Sequence, residues 1–152
     1  MKEEHKADLN YFFVTVFNQI LTWEERTLIQ AGFDRLSVKE HHVLEAVARL
    51  TPAEKNTMTN IAGALSISVS ALTIAVNALV RKGYLSRASD PSDRRFIRLS
   101  LTDEGCRAEA IHRRFHEEMI EEVAAYMEPE QMETLVLSLN RLRSFFANKR
   151  KE

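Results

Sequence analysis

The sequence RKGYLSRASDPSDRRFIRLSL, residues 81–101, predicts the end of a helix followed by a β-hairpin. Gly83 can end the helix, because glycine readily adopts the left-handed conformation found just beyond helix C-termini. Residues 84–89 and 95–101 have the character of two strands, and the second alternates apolar with polar side chains. Its apolar, inward-facing side chains are predicted to be Ile97, Leu99 and Leu101.

The charged turn between these strands, Asp90-Pro91-Ser92-Asp93-Arg94-Arg95, directs arginines outward. Such a turn after a small polar helix is typical of a winged helix-turn-helix. There the helix enters the major groove of DNA, and the turn, or wing, reaches the backbone or the minor groove. We predict that Arg94 enters the groove, with Arg95 as the alternative. Asp90 and Asp93 would repel phosphates, so we expect them to brace one of these arginines through a charge-assisted pair. The alternative is a solvated turn whose ion pairs contribute little stability.

Residues 68–82 predict the helix that reads DNA, with Ser68 as its N-cap. On a helical wheel, the side predicted to be buried carries Val69, Leu72, Val76, Leu79 and Val80. The opposite side and its borders are small and predicted to contact DNA: Ser70, Ala71, Thr73, Ile74, Asn77 and Arg81. Asparagine can pair with adenine, arginine with guanine, and apolar groups with the thymine methyl. We expect Ser68 and Thr73 to hold phosphates. The alternative is an ordinary surface helix. Such a helix would have no need of an apolar side chain such as Ile74 at the centre of its solvent-exposed face.

Charge is gathered around this region although the whole chain has a net charge of −1. Residues 57–101 contain six basic and two acidic side chains, a balance of +4, whereas the remainder has 15 basic and 20 acidic side chains, a balance of −5. A nucleic-acid contact requires such a local excess of positive charge.

The rest of the 152-residue chain is predicted to be helical, which gives a mainly α fold with a small β-hairpin wing. Ser37 and Glu40 have the spacing of a capping box, Thr57 or Thr59 can cap a short helix, and Pro129 suits a first helical turn. The predicted DNA-binding region spans residues 37–101. The flanking helices, 5–31 and 103–148, carry apolar stripes that either cover a monomeric core or form a dimerisation domain with a second copy. A two-fold dimer would place two DNA-reading helices about 34–36 Å apart, matching a pseudo-palindromic operator.

Compartment and chemistry are constrained mainly by what the sequence lacks. No apolar run approaches membrane-spanning length, and the N-terminus has no signal-peptide core. We therefore expect a cytoplasmic protein without a membrane partner. Cys106 is the single cysteine; we predict that it is buried and inert, although a neighbouring Arg107 could favour reactivity. There is no phosphate-binding loop, nucleophile elbow or apolar carboxylate pair, so we expect neither an enzyme nor a required cofactor. A purely structural helical dimer would not need the hairpin arginines.

Several of these motifs together resemble the MarR family of bacterial transcription regulators. The resemblance is carried by the order of helices, the helix end RKGYL at residues 81–85, the wing pattern DxxDRR at 90–95 and the exit LSLTxxG at 99–105. It covers nearly all of residues 1–152, which would form a single MarR-type domain. It implies a homodimeric repressor whose ligand changes the spacing of the two DNA-reading helices. It also implies that residues 68–82 enter the major groove and a wing arginine enters the minor groove.

The effector is suggested by similarity to two branches of that family. One is the MarR-type repressor of fatty-acid synthesis genes, through FNQIL at residues 17–21, SVKEHH at 37–42 and IHRRFH at 111–116. It implies long-chain acyl-acyl carrier protein as corepressor. Arg113 and Arg114 could meet the acidic carrier, and an effector pocket would be formed by Phe13, Phe17, Ile20, Trp23, His42 and Phe115. Alternatively, each of these aromatic side chains simply packs in the core of a dimer.

The other branch senses zinc. His112 and His116 lie four residues apart on one helix face, a spacing that lets two imidazoles share a metal ion. Glu24 and His42 match the remaining zinc ligands of that branch. The branch also has a second site with a cysteine in its first helix, where this chain has Gln30. A histidine pair that merely lies on the surface is the alternative, and a redox or phenolic-ligand sensor is a further one.

Overall fold

The computed structural model describes residues 3–90, 93 and 96–149 and confirms a mainly helical fold with a two-stranded hairpin. The six helices of this described part are α1 Glu3–Gln30, α2 Val38–Leu50, α3 Met58–Leu65, α4 Val69–Arg81, α5 Asp103–Ala125 and α6 Pro129–Lys149. The strands are β1 Leu85–Ser89 and β2 Ile97–Leu101, and a short 3-10 turn occupies Thr51–Ala53. No single helix in this part has the length and composition of a membrane span; α3 and α4 meet that test only together, bent by 106°.

Polar caps begin the helices of the DNA-binding region where the sequence predicted them. Ser37 and Glu40 form both hydrogen bonds of a capping box at the start of α2. The Thr57 hydroxyl caps α3 by accepting a hydrogen bond from the Asn60 amide, and Ser68 caps α4. Each cap satisfies an otherwise unpaired amide and contributes about 1 kcal/mol.

The hairpin is tied to the segment that precedes α3. Strands β1 and β2 pair antiparallel, with Arg87 opposite Leu99. On the other side of β2, Leu99 N donates to Asn56 O at 3.0 Å, and the Asn56 side chain donates to Leu99 O at 2.7 Å. Thr57 forms an isolated bridge with Arg98. The base of the wing is therefore part of the folded body rather than a free ribbon.

The exit from the wing requires a glycine. A Cβ at Gly105 would lie 2.1 Å from the backbone oxygen of Tyr84. Thr102 closes this corner, because its hydroxyl donates to Gly83 O at 2.6 Å and accepts from Gly105 N at 3.1 Å. Helix α5 can thus begin directly against the end of the hairpin.

The core lies between α2, α3, α4 and the hairpin. On α4 it buries Leu72, Val76 and Leu79, whereas Val69 is 45% and Val80 37% exposed. The prediction that these two valines are buried was wrong. They lie about 60–80° around the helix from Leu72, beyond the narrow sector that neighbouring elements cover.

The predicted inner face of β2 is also only partly correct. Leu99 is buried and Leu101 half-buried, but Ile97 is 37% exposed. Ile97 begins the strand at the wing end, where it pairs with the exposed Ser89 at the last rung of the hairpin. Alternation predicts which way a side chain faces, and only packing decides whether that direction leads into the core.

Two compact units divide the chain within α5, Met1–Phe115 and His116–Glu152. The first contains α1 together with the predicted DNA-binding region. The second contains the remainder of α5 and α6, and α6 has no buried residue. The predicted grouping of residues 5–31 with 103–148 as dimerisation helices therefore concerns assembly, does not follow these compact units, and stays a prediction.

Candidate nucleic-acid interface and buried histidine cluster

The predicted DNA-reading face of α4 is open to solvent. Its exposed members are Ser70, Ala71, Ile74, Asn77 and Arg81, while Thr73 is half-buried. Ile74 at the centre of this face is 73% exposed. Ile74 therefore offers its methyl groups outside the protein, where a thymine methyl could meet them.

The two hydroxyls predicted to bind phosphate differ in whether their proton is available for a hydrogen bond to DNA. Ser68 Oγ accepts a hydrogen bond from Ala71 N at 3.1 Å, so its own proton can be donated to a phosphate. Thr73 Oγ1 donates its proton to Val69 O at 2.8 Å. A phosphate contact by Thr73 would require that bond to break.

Internal ion pairs reduce the positive charge that the sequence count assigned to this region. Lys82 Nζ lies 2.7 and 2.8 Å from the two carboxylate oxygens of Glu40. Those contacts, together with the Ser37 cap, outweigh the burial that would raise the pKa of Glu40, so this pKa is lowered. Arg81 and Arg87, in contrast, have no carboxylate partner among the described residues. These two side chains, rather than Lys82, supply free cationic charge beside the exposed face of α4.

Asp90 is braced against an arginine that sequence reasoning missed. Its side chain is buried and accepts a hydrogen bond from Arg98 Nε. Arg98 also donates through Nη1 to Glu54 O at 2.6 Å and to Asn56 Oδ1 at 3.2 Å. The pair could have been predicted from the sequence, because Arg98 is a charged residue in a strand and the adjoining loop contains an aspartate.

The other wing predictions concern residues that are only partly described. Asp93 N donates to Asp90 Oδ1 at 3.3 Å, which stabilises the turn from within. Arg94 and Arg95 lie outside the described residues. Groove entry by either arginine, and the bracing of either by Asp90 or Asp93, therefore stay predictions.

Arg87 is a second residue that sequence reasoning did not assign to the interface. Its guanidinium Nη2 donates a hydrogen bond to Asn77 Oδ1 on the reading face of α4. Arg87 shares the sheet face of Leu85, which is buried, because side chains two residues apart in a strand point to the same side. A charged residue on the face that packs towards α4 was the available signal.

In the first compact unit, three of the four predicted metal ligands come together. Glu24 is 1% and His112 0% exposed, and Glu24 Oε1 lies 2.6 Å from His112 Nε2 and 3.3 Å from His42 Nε2. Their ligand atoms all lie within 4.8 Å of one another. The surface alternative is therefore wrong for His112. His116 follows one turn later on the same face of α5, at the start of the second unit.

Electrostatics in this cluster favour a charged Glu24. Burial alone would raise its pKa, but hydrogen bonds from His112 and His42 prevail and lower the pKa to about 2. The bond to Glu24 outweighs burial for His42 and raises its pKa. A carboxylate with two imidazoles is a ligand set that zinc accepts. Ligands of one zinc ion lie about 3.3 Å apart, so the shorter Glu24–His112 contact would have to open.

A neighbouring histidine completes the packing without hydrogen bonds. The ring of His41 is fully buried and stacks on His112, with ring centroids 5.5 Å apart. Neither ring nitrogen has a hydrogen-bond partner in the described chain. Burial disfavours the charged form and lowers the pKa of His41 to about 4.

The predicted effector pocket is only partly assembled. Trp23 and Phe115 meet edge to face at 5.1 Å, Ile20 is half-buried, and Phe13 and Phe17 are 40% and 64% exposed. A cavity of about 360 Å³ lies between α2 and α4, lined by Lys39, His42, Val43, Leu65, Ile67, Ala71 and Ala75. Of the six predicted pocket residues, His42 alone lines this cavity.

Cys106 is exposed, so the prediction of a buried cysteine was wrong. Gly105 and Ala108 form the buried side of this first turn of α5, and the helical period turns Cys106 away from them. Arg107, the residue that the sequence offered as an activator of the thiol, pairs with Glu104 instead.

Comparison with known proteins gives consistent matches. Residues 36–97 match the model of the MarR family. An uncharacterized HTH-type transcriptional regulator of Bacillus subtilis (strain 168), YpoP, is 30% identical over 115 residues, which are 75% of this chain and 74% of the relative. The crystal structure of Streptococcus pneumoniae FabT in complex with DNA is 29% identical, with a TM-score of 0.84 over 94% of this chain and 98% of that one. A Staphylococcus aureus MepR–DNA complex shares the fold, at 20% identity and a TM-score of 0.79 over 90% and 95% of the two chains.

Proposed function

The chain belongs to the MarR family of DNA-binding transcriptional regulators rather than to an enzyme family, and we propose that it is a homodimeric repressor. One observation carries the proposal: the solvent-exposed face of α4, with Ile74, Asn77 and Arg81, is small enough to approach base edges and is flanked by free positive charge. The similarity to FabT, which was crystallised with DNA, supports DNA as the partner.

Exposed apolar side chains support dimerisation. On α1 those exposed by 40% or more include Tyr11, Phe12, Phe13, Val14 and Phe17, and on α6 they are Val136, Leu137, Leu139, Phe145 and Phe146. Burying each large apolar side chain stabilises an assembly by about 1.5–3 kcal/mol. A second copy of the chain is the partner whose two-fold axis would also duplicate the DNA-reading helix. Sedimentation should give twice the chain mass; a monomer at micromolar concentration would refute the dimer.

DNA binding is tested first with an operator selected from random duplexes. We expect a pseudo-palindromic consensus and an affinity that falls steeply as salt rises, because phosphate contacts release counterions. Arg94→Ala/Arg95→Ala should abolish operator binding while the sedimentation of the dimer stays unchanged. Unaltered affinity in this variant would contradict a role for the wing, and a flat salt response would contradict phosphate contacts.

For the effector, we favour long-chain acyl-acyl carrier protein, with control of fatty-acid synthesis genes. The argument is the sequence resemblance to that branch, together with accessible aromatic side chains on α1. Operator affinity should change when the acylated carrier is added and should not change with the unacylated carrier. An equal response to both forms, or none, would exclude this effector.

Zinc is the second candidate, and the Glu24–His42–His112 geometry favours it. Glu24, His42 and His112 would hold the ion, and the helical spacing of His116 makes it the candidate fourth ligand. Binding of zinc would tie α1, α2 and α5 together and so couple the ion to the DNA-binding region. We expect zinc titration to change operator affinity, and a chelator to reverse the change.

Matched variants decide whether this cluster is responsible. His112→Ala should remove the zinc response, whereas His5→Ala, at an exposed histidine of α1, should retain it. Retention of the response in both variants would show that zinc does not act through this cluster. A response in wild type with none to the acylated carrier would make zinc the effector.

A further inference from the structure

The hydrogen bond between Arg87 and Asn77 has a consequence for which bases the protein can read. Asn77 lies on the exposed face of α4, and its carboxamide has an oxygen acceptor at one end and two N–H donors at the other. A free asparagine can turn either end towards a base, so by itself it discriminates little between donors and acceptors.

Arg87 removes that freedom. Its guanidinium donates to Asn77 Oδ1 and so orients this oxygen towards Arg87, and arginine, which only donates, cannot bind the amide nitrogen in the same way. Since the two ends of a carboxamide point in different directions, holding Oδ1 also fixes Nδ2. Nδ2 has no acceptor among the described residues and is left to donate outside the chain.

We infer that Arg87 is a specificity-determining positioning residue: by holding Asn77 Oδ1, it makes Asn77 donate to an acceptor on a base edge in the major groove. Purine N7, guanine O6 and thymine O4 are such acceptors, whereas the adenine and cytosine amino groups are not. Adenine can then be contacted at N7 only, so the bidentate Asn–adenine pairing expected from the sequence is not retained. The inference rests on the proposed use of α4 as the reading helix.

The remaining N–H groups of Arg87 allow it to contact a phosphate at the same time. Arg87 is exposed, and no carboxylate in the described chain neutralises it. One guanidinium would then join the DNA backbone to the base-reading amide, which is possible because its five donors diverge in a rigid plane. Lysine carries the same charge but lacks this planar fork.

The test is a base-pair substitution scan of the selected operator with wild type, Asn77→Ala, Arg87→Lys and Arg87→Ala. Wild type should disfavour cytosine, the one base without a major-groove acceptor, at one position of the contacted strand in each half-site by about five- to tenfold. Asn77→Ala and Arg87→Lys should both lose this preference at that same position, while Arg87→Lys keeps the wild-type salt slope. The other positions should keep their preferences in all variants.

Two outcomes would overturn the inference. Arg87→Lys could retain the full preference, or Arg87→Ala could weaken binding to every sequence alike and lower the salt slope by about one, as a phosphate contact alone would. Failure of wild type to prefer any DNA sequence would instead refute the proposed function, so the two failures are distinguishable. Thermal unfolding of each variant should match wild type, because the contact is exposed.

Discussion

The exposed face of α4 and the buried Glu24 cluster use polar side chains in opposite ways. On α4, Asn77 and Arg81 are solvated and available to an outside partner. In the cluster, Glu24 and His112 are excluded from water and hydrogen-bond to each other. A buried polar group can form hydrogen bonds only within the protein, whereas an exposed one can use water. DNA can therefore meet Ile74 and Arg81 without breaking a contact that these side chains already make, while a metal ion must replace the hydrogen bond between Glu24 and His112.

The largest change in stability is expected in the hairpin, where the side chain of Asp90 is buried and that of Arg87 is exposed. Arg98→Ala removes a charged partner of the buried Asp90 carboxylate together with the bonds to Glu54 O and Asn56 Oδ1, and we expect it to lower the free energy of unfolding by about 3–5 kcal/mol. Arg87→Ala, in the same hairpin but exposed, should change it by less than about 0.5 kcal/mol. Urea unfolding of both variants measures the difference. Equal stability would show that Asp90 does not depend on Arg98.

The buried histidine cluster should make the stability of the protein depend on pH. His41 has a folded-state pKa of about 4, below its ordinary value of 6.5. The unfolded chain therefore takes up the proton first, and stability is lost as pH falls from 6.5 towards 4, by roughly 3 kcal/mol. Glu24 loses its contribution only below pH 4.5, because its pKa is lowered to about 2. The pKa of His42 is raised, so its contribution to stability is complete below pH 6.5 and declines as pH rises above that value.

His41→Phe isolates the histidine contribution, since it keeps a ring against His112 without a titrating group. Unfolding with chelator present should show a smaller stability loss between pH 6.5 and 4.5 than in wild type. The same pH dependence in both proteins would contradict a neutral, buried His41. His5→Phe serves as the exposed control.

The smallest effect is expected at the pair between α2 and α4. Lys82 is 28% and Glu40 12% exposed at the side chain. Lys82→Met keeps the apolar stem and should cost about 1 kcal/mol, between the values for surface and buried pairs. Its effect on operator affinity should be small, because Glu40 already neutralises this charge. A DNA-binding loss as large as that of Arg81→Ala would show that Lys82 acts at the interface.

Sequence reasoning recovered the features that local physics dictates. Caps at Ser37 and Ser68, the glycine stop at Gly83 and the hairpin follow from short-range hydrogen bonding and backbone preference. The contacts that sequence reasoning missed join residues that lie far apart in the chain or in different elements. Arg98 reaches back to residue 54, and Arg87 reaches across to α4.

Charge counting overlooked the pairing of Lys82 with Glu40 for the same reason. The count treated Lys82 as equivalent to Arg81. Packing reveals that Glu40 lies beside Lys82, whereas Arg81 has no carboxylate partner within the part of the chain that the structure describes. Similarly, the i, i+4 spacing predicted that His112 and His116 share a helix face. Spacing could not show that His112 would be fully buried against Glu24, 88 residues earlier in the chain.

The most direct test of the account is the operator affinity of Ile74→Ala/Asn77→Ala/Arg81→Ala, compared with Arg141→Ala on the exposed side of α6 as the control. The triple variant removes three groups from an exposed face, so it should unfold like wild type and still dimerise. We predict a loss of operator affinity of at least about 100-fold, with Arg141→Ala unchanged. An affinity of the folded triple variant within threefold of wild type would contradict the conclusion that α4 reads the DNA.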